Sequence, residues 1–469
     1  MIGRTEEIAL LKEQAEADRS RLVVVYGRRR VGKTFLVREA FGYRFTFTHT
    51  GIERTTLAGQ LAQFHQSLVM HGYEDCPMPS NWIEAFGLLK RLILKSPDGR
   101  KILFIDELPW MDTPKSQFLP AFENFWNGWC SARTDILLIV CGSATSWIVK
   151  KVLRNKGGLF NRANRTIFLQ PFTLKQCEEY AKEAGLSMGR REIVEAYMIF
   201  GGLPYYWSLL DRRYSLAQNV DRLCFTSVGE LILEFRRLYD SVFRVSEPYV
   251  RIVTALATRK IGMTREDMVV ALGVENCGKL TNCLQDLELS GFIRRYHPFG
   301  KRRRGTVYQL IDNFTLFYFR FMCDSANSHD GFWLSSVDSG ERHVWEGLAF
   351  ERVCLWHEQQ IKEALRIGGV RTNTASWRSE KKSGGAQADL VLERRDGVIN
   401  LCEMKFTSAP FAIGASYEKD LRNKVSLFKE ETETRSSVHL TMVTVDGIRR
   451  NEYAGIVQSE VKLDDLFEE

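Results

Sequence analysis

The octad GRRRVGKT occupies positions 27–34, directly after the apolar run Arg21–Tyr26 and before a helical pattern. It fits G-x-x-x-x-G-K-[ST], the pattern of a loop whose backbone N–H groups surround phosphate oxygens. The predicted nucleotide-contacting residues are Gly27, Arg28, Arg29, Arg30, Val31, Gly32, Lys33 and Thr34. Lys33 is expected to reach the β- and γ-phosphates, and the Thr34 hydroxyl to bind Mg²⁺. The octad in its strand–loop–helix context therefore predicts a phosphate-binding loop, with ATP and Mg²⁺ as ligands.

Two further apolar runs end in polar residues that suit the same chemistry. The run 102–105 is followed by Asp106 and Glu107, and the run 136–141 leads to Ser143. Asp106 is expected to hold Mg²⁺ through water, and Glu107 to polarise the water that attacks the phosphate. Ser143 either touches the γ-phosphate or the water, or caps the following helix, and it can do both. The pair of acids favours hydrolysis of ATP over binding alone.

Length and composition restrict the class of protein. At roughly 100–200 residues per domain, 469 residues predict three or four domains. The hydrophobic share of 44% and the charged share of 26% are typical of a globular chain and argue against long disorder. No apolar stretch approaches the ~20 residues of a membrane helix, and the ten scattered cysteines form no CxxC pair. We therefore expect a cytoplasmic protein with reduced thiols and no membrane association.

Hydrophobic patterning predicts how the chain is divided. Short apolar runs that alternate with helical segments indicate a parallel sheet buried on both faces, so the fold class is α/β. We predict a P-loop NTPase core over residues 1–172 and a helical lid over residues 173–245. A winged helix-turn-helix is expected over residues 246–310, and a C-terminal α/β domain over residues 311–469.

Three helical segments and a basic hairpin predict the winged helix. The helices are expected at Pro248–Ala257, Arg265–Leu272 and Gly278–Ser290. The turn of the hairpin is basic, with Lys301, Arg302, Arg303 and Arg304. Together with the net charge of +7, these residues suit phosphate contacts and indicate DNA as a partner. A winged helix that only packs domains together is the alternative, and Asp286 and Glu288 weaken the case for groove reading.

The chain resembles the prokaryotic AAA-type ATPases related to the STAND NTPases, the archaeal ATPase family. The resemblance rests on Gly3-Arg4 with Glu6-Glu7 and Leu10-Leu11, the octad, FIDELPW (104–110), GSA (142–144) and GGLPYY (201–206). It covers essentially the whole chain, and the family often carries a C-terminal nuclease-like domain of uncharacterised function. The resemblance implies that Arg4 lies near the nucleotide base. It also favours Arg162 over Arg165 as the arginine that stabilises charge in the transition state.

A second candidate site lies in two apolar runs of the C-terminal region. Asp389 is in the run 388–392, and Glu403 and Lys405 follow on one face of the run 399–406. Asp389 and Glu403 would bind Mg²⁺, and Lys405 would orient or deprotonate water or neutralise phosphate charge. Glu351, in the preceding predicted helix, would complete the acidic cluster. Such a set suits metal-assisted hydrolysis of a phosphodiester.

This region resembles the PD-(D/E)xK nucleases. Gly385, Gln387 and Asp389 match the form of their motif, and Gln387 shares a strand face with Asp389. Ala388 stands where the motif has proline, at a position that varies widely in that superfamily. An exposed hairpin with an incidental Glu/Lys pair, or a folded but inactive relative, is the alternative.

The sequence thus favours an ATP-hydrolysing switch or motor that carries a metal-dependent DNA nuclease. ATP bound between copies of a homo-oligomer would gate the cutting, and defence or mobile-element biology would suit that combination. A nucleotide-controlled module that binds DNA or protein without cutting is the alternative. A scaffold in which ATP only drives oligomerisation is a third possibility, and the Asp106–Glu107 pair argues against it.

Overall fold

The computed structural model describes residues 2–154, 159, 161–243, 245–300, 305–324, 329–381 and 385–468. The chain forms two compact units, one of Met1–Pro171 with Arg236–Ser246 and one of Phe172–Phe235 with Glu247–Glu469. The predicted lid, residues 173–245, is therefore divided between the two units. Within the described ranges we find no helix with the length and apolar character of a membrane span.

A parallel five-stranded sheet forms the centre of the first unit. Its strands are β1 (Arg21–Gly27), β2 (Phe47–Thr50), β3 (Lys101–Asp106), β4 (Ile136–Gly142) and β5 (Arg165–Leu169). They are arranged in the order β2-β3-β4-β1-β5, and every neighbouring pair is parallel. All residues of β4 are buried, as expected for a central strand covered on both faces. The carboxyl ends of β1, β3 and β4 therefore meet at one edge of the sheet.

Helices cover this sheet. They are α1 (Thr5–Glu16), α2 (Lys33–Ala40), α3 (Leu57–Met70), α4 (Trp82–Lys95), α5 (Leu108–Met111), α6 (Phe118–Gly128) and α7 (Thr145–Trp147). The Asn81 side chain caps α4 by accepting a hydrogen bond from Glu84 N at 2.9 Å. Phe86 of α4 packs against Phe122 and Phe125 of α6 within the main apolar core. The aromatic residues of α6 thus contribute to the core.

Two glycines of the octad occupy conformations that other residues avoid. Gly27 has φ 153°, and a Cβ atom there would lie 2.4 Å from the Leu169 carbonyl oxygen of the neighbouring β5. Gly32 begins α2 in the left-handed region, with φ 89°. A side chain at either position would strain the loop, which explains why the motif needs glycine there.

Helices make up the first part of the second unit. They are α8 (Leu174–Glu183), α9 (Arg190–Phe200), α10 (Pro204–Ser208), α11 (Leu216–Cys224) and α12 (Glu234–Val242), the last of which ends in the first unit. Between α9 and α10, Gly202 pairs with the chain at Phe172: Phe172 N donates to Gly202 O at 2.6 Å. A Cβ atom on Gly202 would lie 2.0 Å from Phe172 O, so two backbone segments touch at this glycine.

Gly202→Ala is therefore expected to lower the free energy of unfolding by about 1–3 kcal/mol, the usual cost of forcing an extra methyl group into a packed site. Urea denaturation followed by tryptophan fluorescence measures it, since Trp207 lies in the adjacent helix. Gly340→Ala is the matched control, because a Cβ atom at Gly340 would meet nothing within 4 Å. Equal stability of the two variants would contradict the close approach at Gly202.

Residues 247–310 form three helices and a small antiparallel sheet. The elements are α13 (Glu247–Ala257), β6 (Met263–Thr264), α14 (Arg265–Leu272), α15 (Gly278–Leu289), β7 (Ile293–Tyr296) and β8 (Val307–Leu310). The strand order is β6-β8-β7. The Thr264 side chain caps α14 by accepting a hydrogen bond from Asp267 N at 3.1 Å. The basic residues 301–304 lie outside the described residues, so the wing tip stays a prediction.

The C-terminal region contains a second five-stranded sheet. Its helices are α16 (Asn313–Phe317), α17 (Phe332–Ser335), α18 (Gly340–Trp356), α19 (Glu358–Ala364) and α20 (Ala415–Thr432). Its strands are β9 (Thr372–Arg378), β10 (Gln387–Arg394), β11 (Val398–Lys405), β12 (Ser437–Thr444) and β13 (Ser459–Lys462). The order is β13-β12-β11-β10-β9, with β9, β10 and β11 antiparallel and β11, β12 and β13 parallel.

The two faces of this sheet have different coverings. Leu427 and Phe428 of α20 pack in one core cluster with Val391, Ile399 and Leu401. On α18, Phe350 packs against Phe406, just beyond the end of β11. The chain breaks between α18 and α19 at His357. Its buried ring contacts Val353 O and accepts a hydrogen bond from Leu174 N, which anchors the break.

Candidate functional site

The octad spans the end of β1, the loop that follows it and the start of α2, and Lys33 is the first residue of α2. Lys33 is 5% exposed, and its ammonium group donates to Gly27 O at 3.1 Å, Arg28 O at 2.9 Å and Ser143 Oγ at 3.0 Å. A buried ammonium group needs such partners, because an unpaired charge in the interior is costly. The amine is thereby fixed between the loop and the end of β4.

Asp106 lies at the end of β3 and connects three elements. It accepts from the Thr34 hydroxyl at 2.6 Å, from Glu107 N at 2.8 Å and from the Cys141 thiol at 2.5 Å. Burial and the nearby charges of Asp106 and Glu107 raise the pKa of Cys141 well above its usual value, so the thiol keeps its proton and donates. The carboxylate of Asp106 and the hydroxyl of Thr34 therefore lie side by side.

Glu107 and Ser143 form a direct pair. The Ser143 N–H donates to one carboxylate oxygen of Glu107 at 3.0 Å, and the Ser143 hydroxyl donates to the other at 2.5 Å. The backbone of Glu107 has φ 48°, a left-handed conformation that is uncommon for a residue with a side chain. Ser143 thus contacts both Lys33 and Glu107, so the structure brings together five of the predicted residues: Lys33, Thr34, Asp106, Glu107 and Ser143.

The predicted arginines have different surroundings. Arg4 is buried, and its guanidinium donates to Gln170 O at 2.7 Å and pairs with Glu7 at 3.4 Å, so it joins the start of α1 to the segment after β5. Arg29 is partly exposed and lies 3.8 Å from Glu53. Arg162 is exposed. The base contact of Arg4 and the charge-stabilising role of Arg162 stay predictions.

The C-terminal carboxylates do not form one cluster. Among the described residues no group of three or more acidic, histidine or cysteine side chains is placed to hold a metal ion. Glu351 of α18 and Asp389 of β10 share one partner, Lys260, at 2.9 Å and 3.7 Å. Burial and the charge of Asp389 raise the pKa of Glu351, and Lys260 opposes that shift. These two acids therefore form a pair without Glu403.

Glu403 is held by a different set of side chains. Its oxygens accept from the Tyr417 hydroxyl at 2.9 Å and pair with Lys405 at 3.2 Å and with Lys424. Burial alone would raise the pKa of Glu403, but Lys424 and Lys405 hold it below its usual value. Tyr417 and Lys424 both belong to α20, so Glu403 faces that helix.

A shift in strand register explains the separation. Ala388 pairs with Trp377 on β9, but Val391 pairs with Ala375, so β10 contains one extra residue between these points. Such a bulge places two successive side chains on one face of the strand. Ala388 and Val391 both pack in the core under α20, and Asp389 between them faces α18. The expected grouping of Asp389, Glu403 and Glu351 therefore needs correction: the bulge separates Asp389 from Glu403.

Sequence reasoning missed several polar residues of both sites. They are Cys141, Lys260, Arg352, Tyr417 and Lys424. Tyr417 and Lys424 are seven residues apart on α20, so they lie on one face of the helix. This spacing is visible in the sequence and could have identified both residues. Lys260 precedes the short β6, and no local sequence pattern identifies it as a site residue, because its partners lie 91 or more residues further along the chain.

The strand order, the glycine-containing loop and the polar residues at the strand ends define a P-loop NTPase fold in the first unit. No family model matches the chain. An uncharacterised protein of Methanocaldococcus jannaschii, MJECL04, is 26% identical over 366 residues, which cover 75% of this chain and 76% of that protein.

Two solved structures show a weaker likeness. The Walker-type ATPase PABY2304 of Pyrococcus abyssi has a TM-score of 0.44 and 17% identity, over 68% of this chain and 96% of that one. The ORC2 protein of Aeropyrum pernix, in complexes with ADPNP and ADP, has a TM-score of 0.40 and 12% identity, over 72% and 96% of the two chains. Both TM-scores lie below 0.5, so the fold assignment stands on the strand order, the loop and the strand-end residues.

Proposed function

We propose that the first unit binds ATP with Mg²⁺ and hydrolyses it. The observation that carries this proposal is the continuous set of contacts from Lys33 through Ser143 to Glu107, beside the Thr34–Asp106 pair. Each of these side chains ends at the edge of the sheet where the loop lies. A simple anion-binding loop would need the lysine and the backbone N–H groups but no paired acids.

The residues fit a magnesium nucleotide. Thr34 and Asp106 offer a hydroxyl and a carboxylate 2.6 Å apart, and oxygen atoms are the ligands that Mg²⁺ prefers. When bound, Mg²⁺ would neutralise phosphate charge. Lys33 would exchange its two carbonyl partners for phosphate oxygens, because a charged acceptor forms the stronger hydrogen bond. Glu107 would orient water and accept its proton, with Ser143 fixing the carboxylate.

Ser143→Ala is expected to lower kcat for ATP hydrolysis by about 10- to 100-fold and to change the affinity for ATP less. The substitution removes a hydrogen bond to Glu107 and one to Lys33, and bonds to charged groups contribute about 1.5–3 kcal/mol each. Phosphate release and binding of a fluorescent ATP analogue measure the two effects. Ser146→Ala, three residues along the chain, is the control. A Ser143→Ala protein with wild-type turnover would show that the contacts of Ser143 with Glu107 and Lys33 do not assist hydrolysis, since Ala144 and not Ser143 is the N-cap of α7.

A second candidate activity concerns the C-terminal sheet: metal-dependent cleavage of a phosphodiester, with DNA as the substrate. Glu351 Oε2 is buried and has no hydrogen-bond partner in the described part of the chain, and it lies beside Asp389. Such an unfilled acceptor suits a divalent cation held by the two carboxylates, which would supply Lewis-acid charge at the phosphate. Lys405 is paired with Glu403 on the other face of the sheet. It would therefore assist cleavage at this cation only after the strands rearrange.

The alternative for this region is binding without cleavage, with the predicted winged helix (residues 246–310) as the DNA contact. The separation of Asp389 from Glu403 supports this alternative, because a two-carboxylate site offers fewer ligands. Incubation of the full chain with linear and circular DNA and with RNA, with Mn²⁺ and with or without ATP, separates the two. Cleavage supports the nuclease, and retention of DNA without products supports the binding module.

A further inference from the structure

Lys260 lies between the two carboxylates of the C-terminal sheet, although it belongs to the predicted winged helix. Its ammonium nitrogen is 2.9 Å from Glu351 Oε1 and 3.7 Å from Asp389 Oδ2. The side chain of Lys260 is 35% exposed, whereas those of Glu351 and Asp389 are 13% and 18% exposed. The ammonium group thus occupies the place that a cation shared by both carboxylates would take.

The backbone of Lys260 is fixed as firmly as its side chain. Its carbonyl oxygen accepts from Gln309 Nε2 of β8 at 2.7 Å and from Arg352 Nη2 of α18 at 2.5 Å. Gln309 and Arg352 are both buried. An ion pair between two exposed, freely rotating side chains contributes little to stability, because ordering the side chains costs entropy. The backbone of Lys260 is already held by Gln309 and Arg352, so less entropy is lost when its ammonium group pairs with the carboxylates. One residue therefore joins residues 247–310 to the carboxylate pair.

The site is incompletely satisfied in this arrangement. In the described chain, Glu351 Oε2 is buried and has no hydrogen-bond partner. A buried acceptor without a partner has lost its hydrogen bonds to water and gained none in the protein, which destabilises this arrangement. The ammonium group of Lys260 balances charge but leaves Glu351 Oε2 unpaired, whereas a divalent cation held by both carboxylates would also pair this oxygen.

We propose that Lys260 is a latch on the carboxylate pair: its ammonium group takes the place of a divalent cation between Glu351 and Asp389, and the cation binds when Lys260 withdraws. The latch rests on the proposed metal-dependent function of this site. Lys260 belongs to the segment 247–310 and is bonded to Gln309 of the same segment. A ligand that moves this segment would therefore also withdraw the ammonium group from Glu351 and Asp389. By linkage, cation binding at the pair must loosen the segment by the same factor.

Lys260→Met tests the latch, since it keeps an unbranched side chain as long as the aliphatic part of lysine, leaves the backbone contacts in place and removes the charge. The affinity of the nucleotide-free full chain for Mn²⁺, measured by calorimetry, is expected to rise by about 5- to 150-fold, the usual range of such couplings. Lys260→Gln is a second variant in case the methionine disturbs folding. Arg352 and Arg294 stay near the acids and limit their repulsion. Arg259→Met, at the neighbouring cation, should leave the affinity unchanged.

The double variant Lys260→Met with Asp389→Asn identifies the site, because it should lose the added affinity. If Lys260→Met binds Mn²⁺ as the wild type does, and Asp389→Asn weakens that binding, the latch is wrong and the metal site stands. If Mn²⁺ binding is insensitive to Asp389 in every background, both the latch and the proposed metal-dependent function fail. If Lys260→Met loses DNA cleavage without gaining affinity, Lys260 assists the reaction and the latch is overturned.

Discussion

Glu107→Gln is expected to lower kcat for ATP hydrolysis by at least about a hundredfold while ATP binding stays near that of the wild type. The glutamine side chain keeps the size of the glutamate and can still accept a hydrogen bond from Ser143 through its carbonyl oxygen. It cannot take a proton from water, and a positioned base contributes about 10²–10⁴-fold. The Thr34–Asp106 pair is untouched, so the proposed metal ligands remain.

Lys33→Ala should behave in the opposite way, with loss of tight ATP binding. The lysine supplies the positive charge for the β- and γ-phosphates, and the structure already holds its amine at the loop. Phosphate release and equilibrium binding of a fluorescent ATP analogue separate the two variants. Glu123→Gln, on α6, controls for the loss of an acidic side chain. Hydrolysis at the wild-type rate by Glu107→Gln would show that another group activates the water.

The first site was predictable because its geometry follows from sequence order. Asp106 ends β3, Glu107 and Ser143 directly follow β3 and β4, and the octad begins at the end of β1. Parallel strands present their carboxyl ends at one edge of the sheet. Once the octad, the Asp106–Glu107 pair and Ser143 were assigned to the ends of parallel strands, their convergence could be predicted without knowledge of contacts between distant parts of the chain. The contact of the Cys141 thiol with Asp106 was missed, since nothing in the sequence distinguishes a thiol that donates from one that only packs.

The second site was predictable only in part. The strands with Asp389 and Glu403 lie within a residue or two of their expected bounds, and β10 does pair with β11. The single inserted residue in β10 decides which helix Asp389 faces, and a bulge leaves no trace in a simple alternation of apolar and polar residues. Lys260 illustrates a second limit, because its role depends on how residues 247–310 pack against α18.

Because of the bulge, Asp389 and Glu403 contact different side chains, so their substitutions are expected to have different effects on metal binding. Asp389→Asn and Glu351→Gln should each weaken Mn²⁺ binding and Mn²⁺-dependent DNA cleavage by at least about a hundredfold, since even residues that only orient a metal ligand are worth about 10–100-fold. Glu403→Gln should leave Mn²⁺ affinity near that of the wild type, because Glu403 pairs with Lys405, Lys424 and Tyr417. All three variants should hydrolyse ATP normally.

The ranking of the three variants distinguishes the two arrangements of the acids. If Glu403→Gln weakens Mn²⁺ binding as much as Asp389→Asn does, the three acids converge when metal is present, and the bulge must rearrange to bring Asp389 to the face of Glu403. If only Asp389 and Glu351 matter, the cation is held on the face of α18, and Lys405 keeps its pairing with Glu403 instead of acting on the same water. Wild-type protein that binds DNA and Mn²⁺ but cuts no substrate, with ATP, ADP and a non-hydrolysable analogue all tried, would contradict the nuclease and leave the ATP-controlled binding module.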